Sequence, residues 1–304
     1  MPFATARGIK FSYRQDGAGP DVVLIHGVAG NMAVWYLCGL VRALTPHFRV
    51  TAYDLRGHGY SESTPTGYTS RNMAEDLLAL RRELGLGPVY LLGHSFGAAV
   101  ALQAALLEPS TVAGVILSDG YLPGLSQIHG QPGQWPGWLA YKRLANQAGL
   151  TVSDDWNNLE ELFQQAARLS DAQRQEFAKV AGPRVIERLI RAASTTCGRD
   201  VADPAGLTAE RILTISQPVV CLFGEQSPFR PLCSYLAENL PDGHQVLVPD
   251  AEHFAFDENP GAYVQLVLEQ LSALAGIGSS LSEPASSVRR METRMTRAEQ
   301  ATAD

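Results

Sequence analysis

A serine between two glycines is the feature of this sequence whose chemistry is most clearly defined. The segment GHSFG covers residues 93–97, after the apolar run VYLL and before the apolar run AAVALQAALL. A strand, a tight turn and a helix in this order form a nucleophile elbow, which exposes the serine hydroxyl at the edge of a sheet. The flanking glycines leave room for such a strained turn. We therefore predict that Ser95 is a nucleophile.

A serine hydroxyl becomes a good nucleophile only when a base accepts its proton, and an imidazole is the usual base. His253 follows the apolar run VLVPD and lies in the segment DAEHFAFDENP, which leads into the last helical pattern. The other histidines flank predicted turns or lie in polar loops, and His129 is expected to be exposed. His253 is therefore the predicted base.

Attack on an acyl group also requires backbone N–H donors for the oxyanion that develops. The amide of Phe96, next to the nucleophile, is one predicted donor. The second is the amide of Val28, in the segment LIHGVAGN that follows an apolar run.

The elements that must position these residues form an alternating pattern of apolar runs and helical segments. This pattern predicts a mostly parallel sheet flanked by helices, and continuous apolar runs predict strands that are buried on both faces. A hairpin is predicted at ARGIKFSYRQDGAG, ahead of the first run. The predicted strands are DVVLIHG from Asp21, FRVTAYD from Phe48, VYLLGHS from Val89, VAGVILSD from Val112, PVVCLFGE from Pro218 and HQVLVPD from His244.

Residues 121–206 contain helical patterns and no convincing strand. An insertion after a strand at the carboxyl edge of an open sheet lies over the place where such sheets bind ligands. We therefore predict a helical cap, or lid, at 121–206 on a core made of 1–120 and 207–275. Residues 276–304 are rich in Ser, Arg, Glu and Thr and are expected to form a flexible tail.

Composition excludes several classes of protein. The net charge is -7 and no block of Lys or Arg is present, so nucleic acid is not an expected partner. No apolar run approaches the roughly 20 residues that span a bilayer, and the first residues lack a signal-peptide pattern, so we expect no membrane partner and a cytoplasmic location. The four cysteines are too scattered for a metal site. No motif indicates the number of subunits.

The chain resembles the α/β-hydrolase fold family over about residues 10 to 272. The segments HGVAGN, YDLRGHGYSES, GHSFG and AEHFAFDENP occur in the order and spacing typical of that family. The resemblance implies an α/β-hydrolase core with a helical cap. It does not define the substrate, because esterases, thioesterases, lactonases and some lyases share these motifs.

The carboxylate that would orient the imidazole departs from the family pattern. The resemblance places an aspartate at position 227, but this chain has Ser227 in the sequence GEQSP. Asp119, at the end of VILSD, is our preferred acid, since one helix and one strand after Ser95 return it to the same sheet edge. Glu225 and a Ser–His dyad without an acid remain alternatives.

Together these residues predict a serine hydrolase that cleaves an ester or thioester of a small to medium apolar acyl group through an acyl-enzyme, without metal or organic cofactor. A small molecule is the expected substrate. The alternatives are a lyase, cyclase or intramolecular acyl-transfer catalyst, and a non-catalytic ligand-binding protein on the same scaffold. Five aromatic residues are predicted to line the substrate pocket: Trp35, Phe96, Tyr121, Trp135 and Trp138.

Overall fold

The computed structural model describes residues 2–129, 136–147, 149–151 and 158–277. Its centre is an eight-stranded sheet. In chain order the strands are Phe3–Ala6 (β1), Ile9–Asp16 (β2), Asp21–Ile25 (β3), Arg49–Tyr53 (β4), Val89–His94 (β5), Val112–Ser118 (β6), Val219–Gly224 (β7) and Gly243–Val248 (β8).

The spatial order of the strands is β1-β2-β4-β3-β5-β6-β7-β8. Strands β1 and β2 form the predicted hairpin, and β2 pairs antiparallel with β4. All other neighbouring strands are parallel. The predicted fold class, a mostly parallel sheet flanked by helices, is confirmed.

Helices follow most of the parallel strands. In chain order the α-helices of the described residues are Ala33–Leu37 (α1), Leu40–Leu44 (α2), Ser70–Glu83 (α3), Phe96–Leu107 (α4), Pro136–Gln147 (α5), Leu159–Arg168 (α6), Asp171–Ala181 (α7), Pro183–Ala193 (α8), Cys197–Asp200 (α9), Ala209–Ile212 (α10), Arg230–Asn239 (α11), Ala255–Glu258 (α12) and Pro260–Leu274 (α13). Short 3₁₀ helices occupy Pro109–Thr111 and Pro123–Ile128.

The central strands bury both of their faces, which explains why their sequences are continuously apolar. Leu91 and Leu117 belong to one apolar cluster, together with residues of α3 and α4. Leu92 and Ile116 belong to a second cluster, together with residues of α2 and α13. Successive side chains of a strand alternate between faces, so each strand contributes to both layers.

In the middle of the chain, helix α8 packs against both α6 and α7. The side chain of Asn158 accepts a hydrogen bond from the Glu161 amide at the start of α6. Ser170 and Gln173 form a capping box at the start of α7, which satisfies two otherwise free N–H groups. The buried apolar residues of α6 and α8 are Leu162, Phe163, Ala166, Ile186 and Leu189.

In the parts of 121–206 that the structure describes, the regular elements are helices, as expected. The division of the chain into core and cap stays a prediction. The predicted tail lies outside the described residues from position 278 onward. Among the helices that are described, none is long and apolar enough to cross a membrane.

Candidate active site

Ser95 stands at a sharp turn between β5, which ends at His94, and α4, which begins at Phe96. Its backbone φ of 53° and ψ of -120° are strained for a residue with a side chain. Three backbone hydrogen bonds hold this turn: the Ser95 amide donates to the Ser118 carbonyl, and the Ser95 carbonyl accepts from the amides of Ala98 and Tyr121. The half-buried serine is thereby fixed at the carboxyl edge of the sheet.

The two glycines of GHSFG are required by close backbone approach rather than by their own dihedral angles. A Cβ atom on Gly97 would lie 2.5 Å from the carbonyl oxygen of Ile25. A Cβ atom on Gly93 would collide with the carbonyl of Gly97. Only glycine therefore lets α4 pack this closely on strands β3 and β5.

Ser95, His253 and Asp119 form one hydrogen-bonded chain. His253 Nε2 lies 3.1 Å from Ser95 Oγ, and His253 Nδ1 lies 2.9 Å from Asp119 Oδ1. With the proton on Nδ1 donated to the carboxylate, Nε2 is free to accept the serine proton. The side chains of His253 and Asp119 are almost completely buried, so water does not compete for their hydrogen bond.

Asp119 is held by two donors besides His253. The Gly224 amide donates to Oδ2 over 2.8 Å, and the Ser227 hydroxyl donates to Oδ1 over 2.6 Å. Ser227 Oγ also accepts a hydrogen bond from the Phe229 amide, which fixes its orientation. The serine at the position where the family pattern has an aspartate thus contacts the carboxylate that reaches the histidine.

Glu225 does not share this position. It is exposed, and its backbone amide donates to the Val248 carbonyl. Asp119, rather than Glu225, is the carboxylate that contacts His253.

The predicted oxyanion donors lie on the cavity wall next to the serine. Val28 follows β3, and Phe96 is the first residue of α4. The Val28 loop is held by His26, whose Nδ1–H donates to the Gly27 carbonyl over 2.8 Å and whose Nε2 accepts from the Leu55 amide over 3.0 Å.

His94 is a buried neighbour of His253, the predicted base. His94 Nε2–H donates to the carbonyl of His253 over 3.0 Å, and its ring lies 4.9 Å from the His253 ring. Burial, followed by the nearby His253, lowers the pKa of His94 well below its ordinary value. His94 therefore holds the backbone of His253 and adds no charge beside it.

The site opens into a cavity of about 430 Å³. Its volume lies in the range of small-molecule pockets, and most of its wall is apolar. The cavity is lined by His26, Gly27, Val28, Ala29, Gly30, Val34, His94, Ser95, Phe96, Tyr121, Leu159, Leu162, Phe163, Val185, Leu189, Val201, Phe229, His253, Phe254 and Phe256.

The predicted pocket aromatics have different outcomes. Tyr121 and Phe96 line the cavity. The prediction for Trp35 is wrong: its side chain is fully buried and packs against Phe256, with ring centroids 5.7 Å apart. Successive helical residues point in directions about 100° apart, so on α1 Val34 faces the cavity and Trp35 the core. Trp135 and the side chain of Trp138 lie outside the described residues.

Sequence reasoning missed the phenylalanines that supply much of the wall. Phe254 and Phe256 stand in the motif around His253, so their closeness to the base could have been read from the sequence. Phe229 follows Ser227 closely and contacts the His253 ring, with centroids 5.0 Å apart. Phe163 had no such signal, because it reaches the cavity from α6 in the middle of the chain.

Comparison with known proteins agrees with this fold. The chain belongs to the α/β-hydrolase fold family, whose sequence model, described as "alpha/beta hydrolase fold", matches residues 20–260. It is an enzyme of the hydrolase type, as its relatives are.

One relative is a pimeloyl-[acyl-carrier protein] methyl ester esterase of Yersinia enterocolitica, which is 29% identical over 82% of this chain and 92% of that protein. A second is a 2-(acetamidomethylene)succinate hydrolase of Mesorhizobium japonicum. It is 37% identical, but the match spans only 36% of this chain and 39% of that protein.

Among solved structures, an enol-lactonase from Burkholderia xenovorans LB400 has the same fold, with a TM-score of 0.63 and 23% identity over 89% of this chain and all 100% of that one.

Lowering the pH should destabilise the protein because several buried histidines, His26 and His58 among them, resist protonation. Burial is the main reason that the pKa falls from 6.5 to about 4 for His26 and to about 3 for His58. In the unfolded chain these histidines take up protons below about pH 6.5, but in the folded protein they stay unprotonated until the pH is much lower. The contribution of these histidines to the free energy of unfolding is therefore fully present above about pH 6.5. The free energy of unfolding should fall as the pH drops from there toward about 4.

The measurement is Tm at about pH 7.5 and about pH 5. The drop in Tm should be smaller in His58→Asn than in wild type. The matched control is His244→Asn, since His244 is exposed and bonded to Gln270. An equal drop in wild type and His58→Asn would refute this account.

His129, expected to be exposed, is also buried, and burial lowers its pKa to about 4.

Proposed function

We propose that this protein is a serine hydrolase that cleaves an ester or thioester of a small to medium acyl group. The observation that carries the proposal is the hydrogen-bonded chain from Asp119 through His253 to Ser95 at the wall of the cavity. A carboxylate, an imidazole and a serine in this geometry are suited to acyl transfer.

In the first half of the reaction, Ser95 Oγ attacks the acyl carbonyl while His253 Nε2 accepts the serine proton. The amides of Val28 and Phe96 stabilise the oxyanion. The tetrahedral intermediate collapses when His253 donates its proton to the leaving alcohol or thiol, which leaves the acyl group bound to Ser95.

In the second half, water replaces the leaving group. His253 removes a proton from the water as it attacks the acyl-enzyme, and then returns that proton to Ser95 as the acid departs. Asp119 accepts the hydrogen bond from His253 Nδ1–H and so holds the imidazole in the required tautomer. No step requires a metal or an organic cofactor.

The lining of the cavity supports the proposal that the acyl group is largely apolar. Leucine, valine and phenylalanine residues from α6 and α8 line the same cavity as Ser95. These helices belong to the segment 121–206, which we propose acts as a lid that covers the acyl group and selects it by shape.

The test is a kinetic panel of p-nitrophenyl esters and acyl thioesters of increasing chain length, run in water enriched in ¹⁸O. We expect turnover with released acids that carry one ¹⁸O atom. A cyclised or rearranged product without solvent oxygen would favour a lyase, cyclase or intramolecular acyl transfer. Tight binding of the esters without turnover or acylation would favour a non-catalytic ligand-binding protein.

A further inference from the structure

Arg188, on helix α8, is a partly buried cation with no hydrogen-bond or ion-pair partner among the residues that the structure describes. Its Nε–H is enclosed by protein and donates no hydrogen bond to the described residues. Arg56 shows the usual arrangement, since its guanidinium bonds both carboxylate oxygens of Asp76. The pKa of Arg188 is lowered mainly by burial and, second, by the neighbouring Arg184 cation. A partly buried guanidinium without a neighbouring carboxylate costs stability, and a bound anion would offset that cost.

The side chain of Arg188 lines a small recess beside the main cavity. Ala29 and Phe163 are part of both walls, so the two spaces adjoin. Val185 and Leu189, next to Arg188 on the same helix, line the main cavity. The helix is anchored because Arg191 Nη1 donates to the Gly59 carbonyl over 2.9 Å.

The recess carries positive charge that the described wall does not neutralise. His58 also lines it, but its low pKa keeps the ring uncharged at neutral pH. Arg188 is therefore the charged residue of this wall. The recess holds about 10 Å³, which is about the room that one water-sized group needs. That space suits a single oxygen atom, such as one oxygen of a carboxylate.

We propose that Arg188 binds a carboxylate of the substrate, so that the acyl group is an apolar chain ending in an ionised carboxyl group. This inference rests on the proposed hydrolase function and defines its substrate class. An acyl chain bound to Ser95 would lie along Val185 and Leu189, and its free carboxylate would reach the guanidinium of Arg188. A charge-assisted hydrogen bond in a partly buried site would then select such substrates over neutral ones.

The experiment compares two esters of equal chain length: mono-p-nitrophenyl adipate, which ends in a carboxylate, and p-nitrophenyl hexanoate, which ends in a methyl group. Wild type should prefer the adipate ester in kcat/KM. Arg188→Gln should lose about 10- to 100-fold in kcat/KM for the adipate ester, mainly through KM. Its kcat/KM for the hexanoate ester should change less than about threefold.

Two variants serve as controls. Arg188→Lys keeps the charge and should retain part of the preference. Arg184→Gln removes a charge from an exposed position of the same helix and should retain the full preference. Equal losses for both esters in Arg188→Gln, or the same effect from Arg184→Gln, would overturn the proposal.

A binding measurement separates this proposal from the hydrolase function. Calorimetry with adipate monoethyl ester and Ser95→Ala protein should show binding that is lost in Ser95→Ala/Arg188→Gln. If wild type hydrolyses only the neutral ester and the monoester does not bind, the carboxylate subsite is wrong and the hydrolase stands. If the monoester binds through Arg188 but no ester is turned over, the subsite stands and the hydrolase is wrong.

Discussion

Ser95→Ala should lower kcat/KM for p-nitrophenyl esters by at least about 10⁴-fold. The variant removes the oxygen that lies 3.1 Å from His253 Nε2, so no acyl-enzyme can form. The backbone turn should persist, because its hydrogen bonds use main-chain groups of Ser95 rather than its hydroxyl. The loss should therefore occur in a folded protein.

Two measurements check this result. Steady-state kinetics give the size of the loss, and a fluorophosphonate probe should label wild type but not Ser95→Ala. Ser126→Ala is the matched control, because this serine is exposed on the 3₁₀ helix Pro123–Ile128 and should leave kinetics and labelling unchanged. Turnover by Ser95→Ala within about tenfold of wild type would exclude the serine mechanism.

Asp119→Asn should lower kcat by about 10³- to 10⁴-fold and change KM little. An asparagine oxygen at the place of Oδ2 can still accept the Gly224 amide, which directs the NH₂ group toward His253. That group donates to Nδ1, so the ring proton moves to Nε2, and Nε2 can no longer accept the serine proton. Asparagine also tolerates the left-handed backbone of residue 119, whose φ is 47°.

The position of Ser227 offers a rescue experiment. Ser227 Oγ lies 2.6 Å from the carboxylate oxygen that contacts His253. We expect a carboxylate at position 227 to take over this contact. The double variant Asp119→Asn/Ser227→Asp should therefore have a kcat at least about tenfold higher than that of Asp119→Asn, because the effects of neighbouring residues are not additive. Thermal unfolding of each variant shows whether a loss in kcat results from a loss of folded protein.

Glu225→Gln is the matched control for the choice of acid. Glu225 is exposed, so we expect kcat within about threefold of wild type. If Glu225→Gln instead loses as much as Asp119→Asn, the acid has been assigned to the wrong carboxylate. Full activity of Asp119→Asn would favour a Ser–His dyad.

Local patterns in the sequence were enough for the fold and for the position of Ser95. A strand, a turn with close-packed glycines and an apolar helix are features of neighbouring residues, so their physical causes are visible in the chain itself. The same holds for the hairpin and for the alternation of strands and helices. His253 could be placed because it follows a predicted strand within a recognisable motif.

Contacts between distant residues were harder to predict. Asp119 and His253 are 134 positions apart, and only the pairing of β6, β7 and β8 brings their ends together. The sequence did not decide whether Asp119, Glu225 or no carboxylate orients His253. The answer depends on the direction in which each side chain points at the end of its strand.

The sequence by itself determined the sheet, the elbow at Ser95 and the chemistry of its candidate partners, since these depend on order and periodicity along the chain. Only the tertiary structure decided that Trp35 faces the core, that Ser227 bonds Asp119 and that Arg188 lines a recess whose described wall contains no carboxylate. These facts depend on which surfaces meet when helices pack on a sheet. Packing selects among side-chain directions that the local sequence leaves equally available.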